Sequence, residues 1–290
     1  MGQKKQTPTV RLRRLAAELR RLRQNSGLPR EEVMERTGLN IATLYRLESA
    51  KARPQARTLA TLLRLYKVKE PYREYLIQLC RDAAIQGWLR QYHAELPEEY
   101  AAYISFEDEA QRVRNYESLL LPGLLQTERY ARAVIRGVLP TATDAEVEDR
   151  VRARMERQAV LTKKSRLKLW AVVDEASLHR MVGGPEVMLD QLNHLASAMN
   201  EPNITLQVIR YSAGAHPGMP GQFSILEFAD PMDTDLIYVD SMAGDFFLES
   251  DVKISHFRTS FDTLVAVAAS PIDSASLIAD LAREMKENVR

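Results

Sequence analysis

The sequence predicts an α+β protein in which an all-helical head precedes a body that combines helices with a small sheet of about four strands. Apolar residues recur at helical spacing from Leu12 to Cys80, whereas runs typical of strands appear only beyond residue 166. A chain of 290 residues with 45% apolar content is long enough for about two domains with buried cores. We expect a five-helix head at residues 1–90 and an α+β body at residues 91–290.

Charge is divided unevenly between these two parts. Residues 1–90 contain 20 Lys and Arg against 8 Asp and Glu, a net charge of +12, whereas residues 91–290 contain the other 20 against 31, a net charge of −11. Contacts to nucleic-acid phosphates need Lys and Arg. The division therefore favours a head that binds nucleic acid and a body that has a different partner.

The sequence indicates neither a membrane span nor a metal centre. Its apolar runs fall short of the ~18 residues that a span needs, and the start "MGQKKQTPTVRLRR" lacks the apolar segment of a signal peptide. We therefore expect a cytoplasmic protein without membrane contact. Cys80 is the single cysteine and lies in an apolar helical pattern, so we expect it in the core. The five histidines lack metal-ligand spacing, and we expect no metal and no cofactor.

Caps, helix breakers and apolar periodicity predict five helices in the head. They run from Thr9 to near Ser26, from Pro29 to near Gly38, from Asn40 to about Ser49, through Leu59–Tyr66 after the basic loop "AKARPQ", and onward from Pro71. The second and third helices are joined by a short turn at Gly38, which is the arrangement of a helix-turn-helix.

In this helix-turn-helix, Leu39, Leu44 and Leu47 are expected to pack against the bundle, so that the other side of the third helix enters a major groove. Arg46 is placed to read guanine O6 and N7. The remaining candidates are Ile41, Ala42 and Tyr45 for thymine methyls, and Arg30, Asn40, Thr43, Lys51 and Arg53 for phosphates. The alternative is a helical hairpin with a solvated basic face. One such head covers half a site, so a homodimer on double-stranded DNA is expected.

The segment "LPREEVMERTGLNIATLYRLESAKARP" resembles the Xre/lambda-repressor type of helix-turn-helix. The similarity lies in the Gly38 turn, the Arg46-Leu47-Glu48 pattern and the basic loop that ends at Pro54. It implies a lambda-repressor-like DNA-binding head. Arg30 stands where many relatives have Gln, and Met34 stands where a small Ala is usual.

The body is predicted to begin with helices on either side of a break at Pro122-Gly123. Further along, we expect a charged helix at 144–162, strands at 167–173, 204–210, 222–228 and 235–241, a helix started by Pro185 after the first strand, and helices from Asp251 onward. The stripe of the fifth head helix continues to Trp88, so a helix is expected to join the domains.

The segments "PGLLQTERYARA", "RMERQ" and "VVDEASLHRMVGGPEVMLDQL" resemble the C-terminal domain of a large set of actinomycete regulators, in which it follows an Xre-type head. The resemblance implies a transcriptional regulator. Some members of that set are described as antitoxin-like, because small partner proteins are encoded nearby.

Several polar residues of the body are candidates for contact with a small-molecule effector or a small protein partner. They are Gln126, Arg132, Arg154 and Arg157 around the Pro122-Gly123 break, and His179 and His216 near the glycine-rich loops "VGGP" and "AGAHPGMPGQ". The alternative for the first four is a structural one, in which they hold helices together.

An enzyme is not expected. Asp174 and Glu175 follow a strand, and His179 and His216 are near enough in the pattern for a carboxylate to meet a histidine. However, Glu175 and His179 at i,i+4 more often form a surface pair, and no nucleophile elbow or phosphate-binding loop is present. The leading interpretation is a DNA-binding transcriptional regulator whose body binds a small ligand or small protein. The alternative is an antitoxin-like interaction protein that binds DNA for autoregulation.

Overall fold

The structure is a computed structural model that describes residues 9–83, 96–231, 233–242 and 244–289. The chain divides into two compact units, one of residues 1–93 and 97–106 and the other of residues 94–96 and 107–290. The predicted α+β class is confirmed, because the chain starts with helices and continues into a mixed sheet with helices. The predicted helical connection through Trp88 and the boundary at residue 90 fall on residues 84–95, outside the described residues.

All five predicted head helices are present. They are α1 (Val10–Asn25), α2 (Arg30–Thr37), α3 (Ile41–Glu48), α4 (Ala56–Leu65) and α5 (Tyr72–Asp82). The Thr9 side chain caps α1 by accepting a hydrogen bond from the Leu12 N–H at 3.1 Å. The predicted start of α1 is therefore confirmed.

The core of the head is made of the apolar faces that the helical periodicity predicts. Its buried members are Leu15, Leu19, Val33, Leu44, Leu47, Leu59, Leu62, Leu63, Tyr66, Leu76, Leu79 and Cys80. Each fully buried leucine contributes roughly 1.5–3 kcal/mol relative to an exposed one. Cys80 lies in this core as predicted, and burial raises the pKa of its thiol.

Seven helices and six strands follow α5 among the described residues, and the first of these helices begins in the first unit and ends in the second. In chain order they are α6 (Glu98–Glu109), β1 (Arg112–Glu117), α7 (Glu128–Val138), α8 (Asp144–Arg157), β2 (Lys168–Asp174), α9 (Glu175–His179), α10 (Pro185–Ala198), β3 (Ile204–Ile209), β4 (Phe223–Glu227), β5 (Leu236–Val239), β6 (Phe246–Leu248), α11 (Asp251–Val267) and α12 (Pro271–Val289). Short 3-10 turns lie at residues 123–125, 158–161 and 211–213.

The strands form one sheet in the order β3-β2-β1-β4-β5-β6. β1, β2 and β3 are parallel, and β4, β5 and β6 continue the sheet in antiparallel fashion from β1. The four predicted strands are confirmed as β2 to β5. The sheet has two more strands than predicted, namely β1 and β6.

The prediction of helix before the Pro122-Gly123 break is wrong for β1. The segment "RVRNYE" carries charges and lacks an apolar run, so it gives no strand signal. It becomes a central strand because β2 and β4 pair with it on both sides. Asn115 is buried there because its amide reaches the Phe223 carbonyl and the Ser224 hydroxyl, at 3.4 and 3.1 Å.

One face of the sheet is covered by α11. Ile254, Phe261 and Leu264 of that helix pack with a set of sheet side chains: Tyr116, Val172, Ile209, Phe223, Ile225 and Ile237. Since β1, β2, β3 and β5 run the same way, their carboxyl ends meet at one edge of the sheet. We call this the carboxyl edge; it is marked by Glu117, Asp174, Ile209 and Val239.

Among the described residues, no single helix is long and apolar enough to span a membrane. Helices α11 and α12 meet the length and composition criteria only when they are taken together, and they are bent by 66° relative to each other. The described residues contain no group of three or more His, Cys, Asp and Glu side chains arranged to hold a metal ion.

Candidate nucleic-acid interface and carboxyl edge

The turn between α2 and α3 consists of residues 38–40. Gly38 adopts the left-handed φ of 73°, and its N–H donates to the Met34 carbonyl at 2.8 Å. Only glycine takes this conformation without strain. The Asn40 side-chain oxygen then accepts from the Ala42 N–H at 2.7 Å and starts α3. The predicted helix–turn–helix geometry is therefore present.

The third helix has one buried side and one exposed side. Leu44 and Leu47 are buried in the head core, and Leu39 packs against it. The exposed side chains at the start and middle of α3 are Ile41, Ala42, Thr43 and Tyr45. Tyr45 is 48% exposed. This half of α3 is available to a partner.

A buried ion-pair network fixes α3 to α1 and α2. Glu48, the last residue of α3, is only 3% exposed. Its Oε2 accepts from Arg23 Nη2 at 3.2 Å and from Arg30 Nε at 2.9 Å. A buried carboxylate needs such partners to remain charged. The sequence interpretation missed this role of Arg23 and Glu48, although Glu48 belongs to the Arg-x-Glu pattern that carries the family resemblance.

The structure brings several predicted DNA contacts together around Tyr45. The guanidinium of Arg30 lies 5.7 Å from the centre of the Tyr45 ring, and Lys51 Nζ lies 5.6 Å from it. Arg46 is the next residue of α3 and is partly exposed. Arg53 is held elsewhere, because its Nη1 donates to the Cys80 carbonyl at 3.3 Å.

In the body, the turn after Pro122 is held by buried amides. The Gln126 side chain is 3% exposed, and its Nε2 donates to the Leu121 carbonyl at 2.7 Å. Its Oε1 accepts from Arg154 Nη1 at 2.9 Å, and Gln158 Nε2 donates to the Gln126 carbonyl at 2.7 Å. Two of the predicted residues, Gln126 and Arg154, therefore meet directly.

Arg157 is part of the same region but has a structural partner. It is buried, and its Nη2 donates to Glu107 Oε1 at 2.9 Å. A side chain at position 123 would lie 3.3 Å from Arg157 Nη1, so glycine leaves room for the guanidinium beneath the turn. The geometry favours the structural alternative for Arg157.

Arg132 and His179 are not brought into this group. Arg132 forms surface ion pairs with Glu128 and Glu148 at 2.8 and 2.7 Å. His179 is exposed, and its Nε2 lies 3.6 Å from Glu175 Oε1. Its ring packs against the ring of Tyr211. Both side chains thus make the i,i+4 surface contacts that are common on helices.

The loop at residues 211–221 is held to the carboxyl edge by His216. His216 Nε2 lies 3.2 Å from Asp174 Oδ2, and its Nδ1 accepts from the Gly218 N–H at 3.2 Å. The neutral imidazole that donates from Nε2 satisfies both contacts. A carboxylate and a histidine do meet, as one interpretation of the sequence suggested, but each ring nitrogen already has a partner in the protein.

Gly218 lies against the ring of Tyr116. A Cβ at position 218 would overlap Tyr116 Cζ, so a larger residue fits only if the ring shifts. The Tyr116 hydroxyl is fully buried and has no hydrogen-bond partner among the described residues. Burial is the main reason that the pKa of this phenol is raised, and the negative charges of Asp174 and Glu117 raise it further. A hydrogen-bond donor is thus left without an acceptor at the carboxyl edge.

Glu117, at the end of β1, was not anticipated from the sequence. Burial raises its pKa from 4.5 to about 7; the hydrogen bond from Asn115 and the charges of Arg157 and Arg154 oppose the increase, whereas Asp240 adds to it. Glu117 nevertheless keeps part of its surface accessible. The end of β1 thus places a partly exposed residue whose carboxyl pKa is raised at the carboxyl edge. Glu117 lies in the charged segment "RVRNYE", which has no strand pattern, so the sequence did not predict its burial.

Two protein-family models match different parts of the chain. Residues 14–76 match a model described as a helix-turn-helix domain, which covers α2 and α3. No curated protein and no solved structure matches the chain. Residues 100–280 match a model described as a domain of unknown function (DUF5753). This match covers more than half of the 290 residues, and the chain therefore belongs to the DUF5753 family.

Proposed function

We propose that this protein is a sequence-specific transcriptional regulator of the Xre type. The observation that carries the proposal is the exposed side of α3, which is held by a buried ion pair and flanked by the cations of Arg30 and Lys51. Such a helix fits a major groove, and the net charge of +12 in residues 1–90 supplies the attraction to phosphate. We further propose that it acts in the cytoplasm as a homodimer on two half-sites.

The test is binding-site sequencing with the purified full-length protein on genomic DNA, followed by anisotropy titrations on the selected site. Arg46→Ala is the test variant, because Arg46 is the candidate for base reading on α3. Arg283→Ala, an exposed charge change on α12, is the matched control. Loss of site preference in the first variant alone supports the proposal. Equal binding of the wild type to selected and random DNA would overturn it.

In this proposal the body binds a small effector at the carboxyl edge and takes no part in catalysis. The raised pKa of Glu117 and the unpaired hydroxyl of Tyr116 support the choice of this edge. In open sheets, ligands commonly bind outside the carboxyl ends of parallel strands. Both ring nitrogens of His216 are engaged, which supports a structural role for that histidine rather than proton transfer.

A second candidate is an antitoxin-like protein whose body binds a small protein partner. Exposed apolar side chains in the loops of the carboxyl edge favour it, among them Tyr211 at 59% and Met219 at 66% exposure. The test is co-expression with each small protein encoded beside the gene, followed by size-exclusion chromatography. A complex that Met219→Asp disrupts and Val138→Asp leaves intact would favour this candidate.

A further inference from the structure

The two outer strands of the sheet differ in what covers them. On the outer side of β3, the Val208 N–H donates to the Ser274 hydroxyl at 3.0 Å, and the Val208 carbonyl accepts from the Ala269 N–H at 2.9 Å. The link between α11 and α12 and the start of α12 therefore occupy backbone groups of β3. At the other end of the sheet, β6 is the last strand, and no strand pairs with its outer side among the described residues. The outer side of such a strand can accept a further strand.

The apolar face of the sheet continues as far as β6. Ile237 of β5 belongs to the core cluster that includes α11, and Val239 and Leu248 pack against that cluster. Phe246 pairs with Val239, so its side chain lies on the same face of the sheet. Phe246 is nevertheless 47% exposed. A strand added beside β6 would cover part of this ring with one of its own side chains.

β6 lacks the features by which outer strands usually resist pairing. Its three residues, Phe246, Phe247 and Leu248, include no charged residue and no proline. The Phe247 ring lies on the other face of the sheet, where its centre is 5.3 Å from that of Tyr238. Met242, in the loop that joins β5 to β6, is fully exposed. This strand therefore presents apolar side chains where a protected strand would present lysines.

Carboxylates flank β6 at both ends. Asp240 and Asp245 lie in the loop at one end of the strand, and Glu249 directly follows the other end. Residues 240–251 contain four Asp and Glu and no Lys or Arg. Asp240 and Glu249 are exposed, and Asp245 accepts a hydrogen bond from the Tyr238 hydroxyl at 2.7 Å. An incoming strand with Lys or Arg near its ends would be attracted here, whereas an acidic strand would be repelled.

We propose that β6 is the docking surface for a partner protein, which adds a basic strand beside it. Backbone hydrogen bonds supply affinity in this mode of recognition, and side-chain contacts supply specificity. The partner places an apolar side chain over the exposed ring of Phe246, and its Lys or Arg side chains lie against Asp240 and Glu249. The proposal goes beyond the functions proposed above, neither of which uses β6, so its failure leaves both of them standing.

Charge argues against a second copy of this chain as the occupant. In an antiparallel pair of two β6 strands centred on Phe247, Asp245 of each copy would lie opposite Glu249 of the other. Like charges directly opposite each other destabilise a pair of strands. A basic strand removes this repulsion and gives the same carboxylates partners of opposite charge.

The experiment selects ligands for β6 from a phage-displayed library of random peptides about nine residues long. The library is first depleted on full-length Phe246→Lys, in which a cation replaces the exposed ring, and is then selected on the full-length wild type. We expect the enriched peptides to carry a net positive charge and to alternate apolar with polar residues. Synthetic versions of these peptides are titrated by fluorescence anisotropy.

Two measurements distinguish strand addition from general attraction between opposite charges. The selected peptide is made in two versions, N-methylated at alternate residues in either register. We expect one version to bind at least about tenfold more weakly and the other to bind as the parent does, because only one row of peptide N–H groups faces β6. The bound peptide should also slow amide hydrogen exchange of residues 246–248 and leave that of residues 204–209 in β3 unchanged.

A charge-removal variant tests the flanking carboxylates. Asp240→Asn combined with Glu249→Gln should weaken binding of the selected peptide about fivefold, because two of the attracting charges are lost. The matched control is Glu186→Gln combined with Glu201→Gln, two exposed carboxylates elsewhere in the body, which should leave the affinity unchanged.

Any of four results would overturn the inference: no enriched peptide depends on Phe246, the enriched peptides are acidic or uncharged, both N-methylated versions bind as the parent does, or exchange of residues 246–248 is unchanged by the peptide. The exchange measurement needs no substitution, so it decides the question even if Phe246→Lys lowers stability. Sedimentation of the wild type and Phe246→Lys tests the other occupant. A wild-type dimer that the substitution converts to a monomer would assign β6 to a second copy and overturn the proposal.

Discussion

Arg23 of α1 and Glu48 of α3 form a two-point ion pair, in which Nε meets Oε1 and Nη2 meets Oε2. The Glu48 side chain is 1% exposed and that of Arg23 is 13% exposed. This pair lies below the exposed residues of α3, so it fixes the angle of the helix that we propose enters the groove. Removal of Glu48 leaves the Arg23 charge without its anionic partner, whereas removal of Arg23 leaves Glu48 with Arg30 alone.

We therefore expect Glu48→Gln to lower the free energy of unfolding by about 2–4 kcal/mol, because Arg23 and Arg30 lose their anionic partner. Urea unfolding of the full-length protein, followed by circular dichroism, measures this change. Glu32→Gln removes the partner of Arg36 at the surface and should cost less than about 1 kcal/mol. Equal effects of the two substitutions would show that the Glu48 pair has no special role.

Substitutions of Arg46 and Lys51 should affect DNA binding differently, because Arg46 is predicted to read a base and Lys51 to contact a phosphate. Arg46→Ala should cost about 1–3 kcal/mol at the selected site and relax base preference at one position. Lys51→Ala should weaken binding to all sequences and lower the slope of log affinity against log salt by about one. Titrations at several salt concentrations on selected and random duplexes measure both. If the two variants behave alike on both duplexes, the base-reading residue is not Arg46.

Gly218→Ala tests the close approach of the 211–221 loop to β1. The new methyl group would overlap the Tyr116 ring, and overpacking of this kind costs about 1–3 kcal/mol. Gly137→Ala is the matched control, because position 137 is helical and open, and alanine there should add up to about 1 kcal/mol. Thermal unfolding of both variants gives the comparison. A neutral Gly218→Ala would contradict the described packing.

Glu117 should make stability depend on pH in a particular direction. Its pKa is about 7 in the folded state, whereas its ordinary value is 4.5. Between these values the folded state binds more protons than the unfolded state, so the free energy of unfolding falls as pH increases. We expect the wild type to lose about 1–3 kcal/mol more than Glu117→Gln between pH 4.5 and about pH 8, where the divergence levels off because Glu117 is then ionised in both states.

Urea unfolding from pH 4.5 to pH 8 measures this difference. Glu186→Gln, at an exposed ion pair of α10, should follow the wild-type curve. Parallel curves for the wild type and Glu117→Gln would show that burial does not raise the pKa of Glu117.

Tyr116→Phe probes the buried hydroxyl that has no partner. A buried donor without an acceptor costs about 1–3 kcal/mol, so its removal should leave stability unchanged or raise it by about 1 kcal/mol. Chemical unfolding of the two proteins measures the difference. A clear loss of stability would mean that the hydroxyl has a hydrogen-bond partner, such as an internal water molecule.

The sequence by itself determined the head. Its helices, the Gly38 turn and the Asn40 cap depend on local spacing and backbone preference, which a pattern of neighbouring residues records. The strands β2 to β5 were predictable for the same reason, because their apolar runs are local signals. The packing of Leu44 and Leu47 followed from the periodicity of α3.

Only the tertiary structure decided the partners of polar residues. Arg30 is predicted from its position to contact phosphate, yet its guanidinium donates to Glu48, which is 18 residues away in sequence. β1 is a strand because β2 and β4 pair with it, and its own residues carry no strand pattern. Glu117 has a raised pKa because distant segments bury it. Hydrogen bonds, strand pairing and desolvation act through space, so the order of residues along the chain does not reveal them.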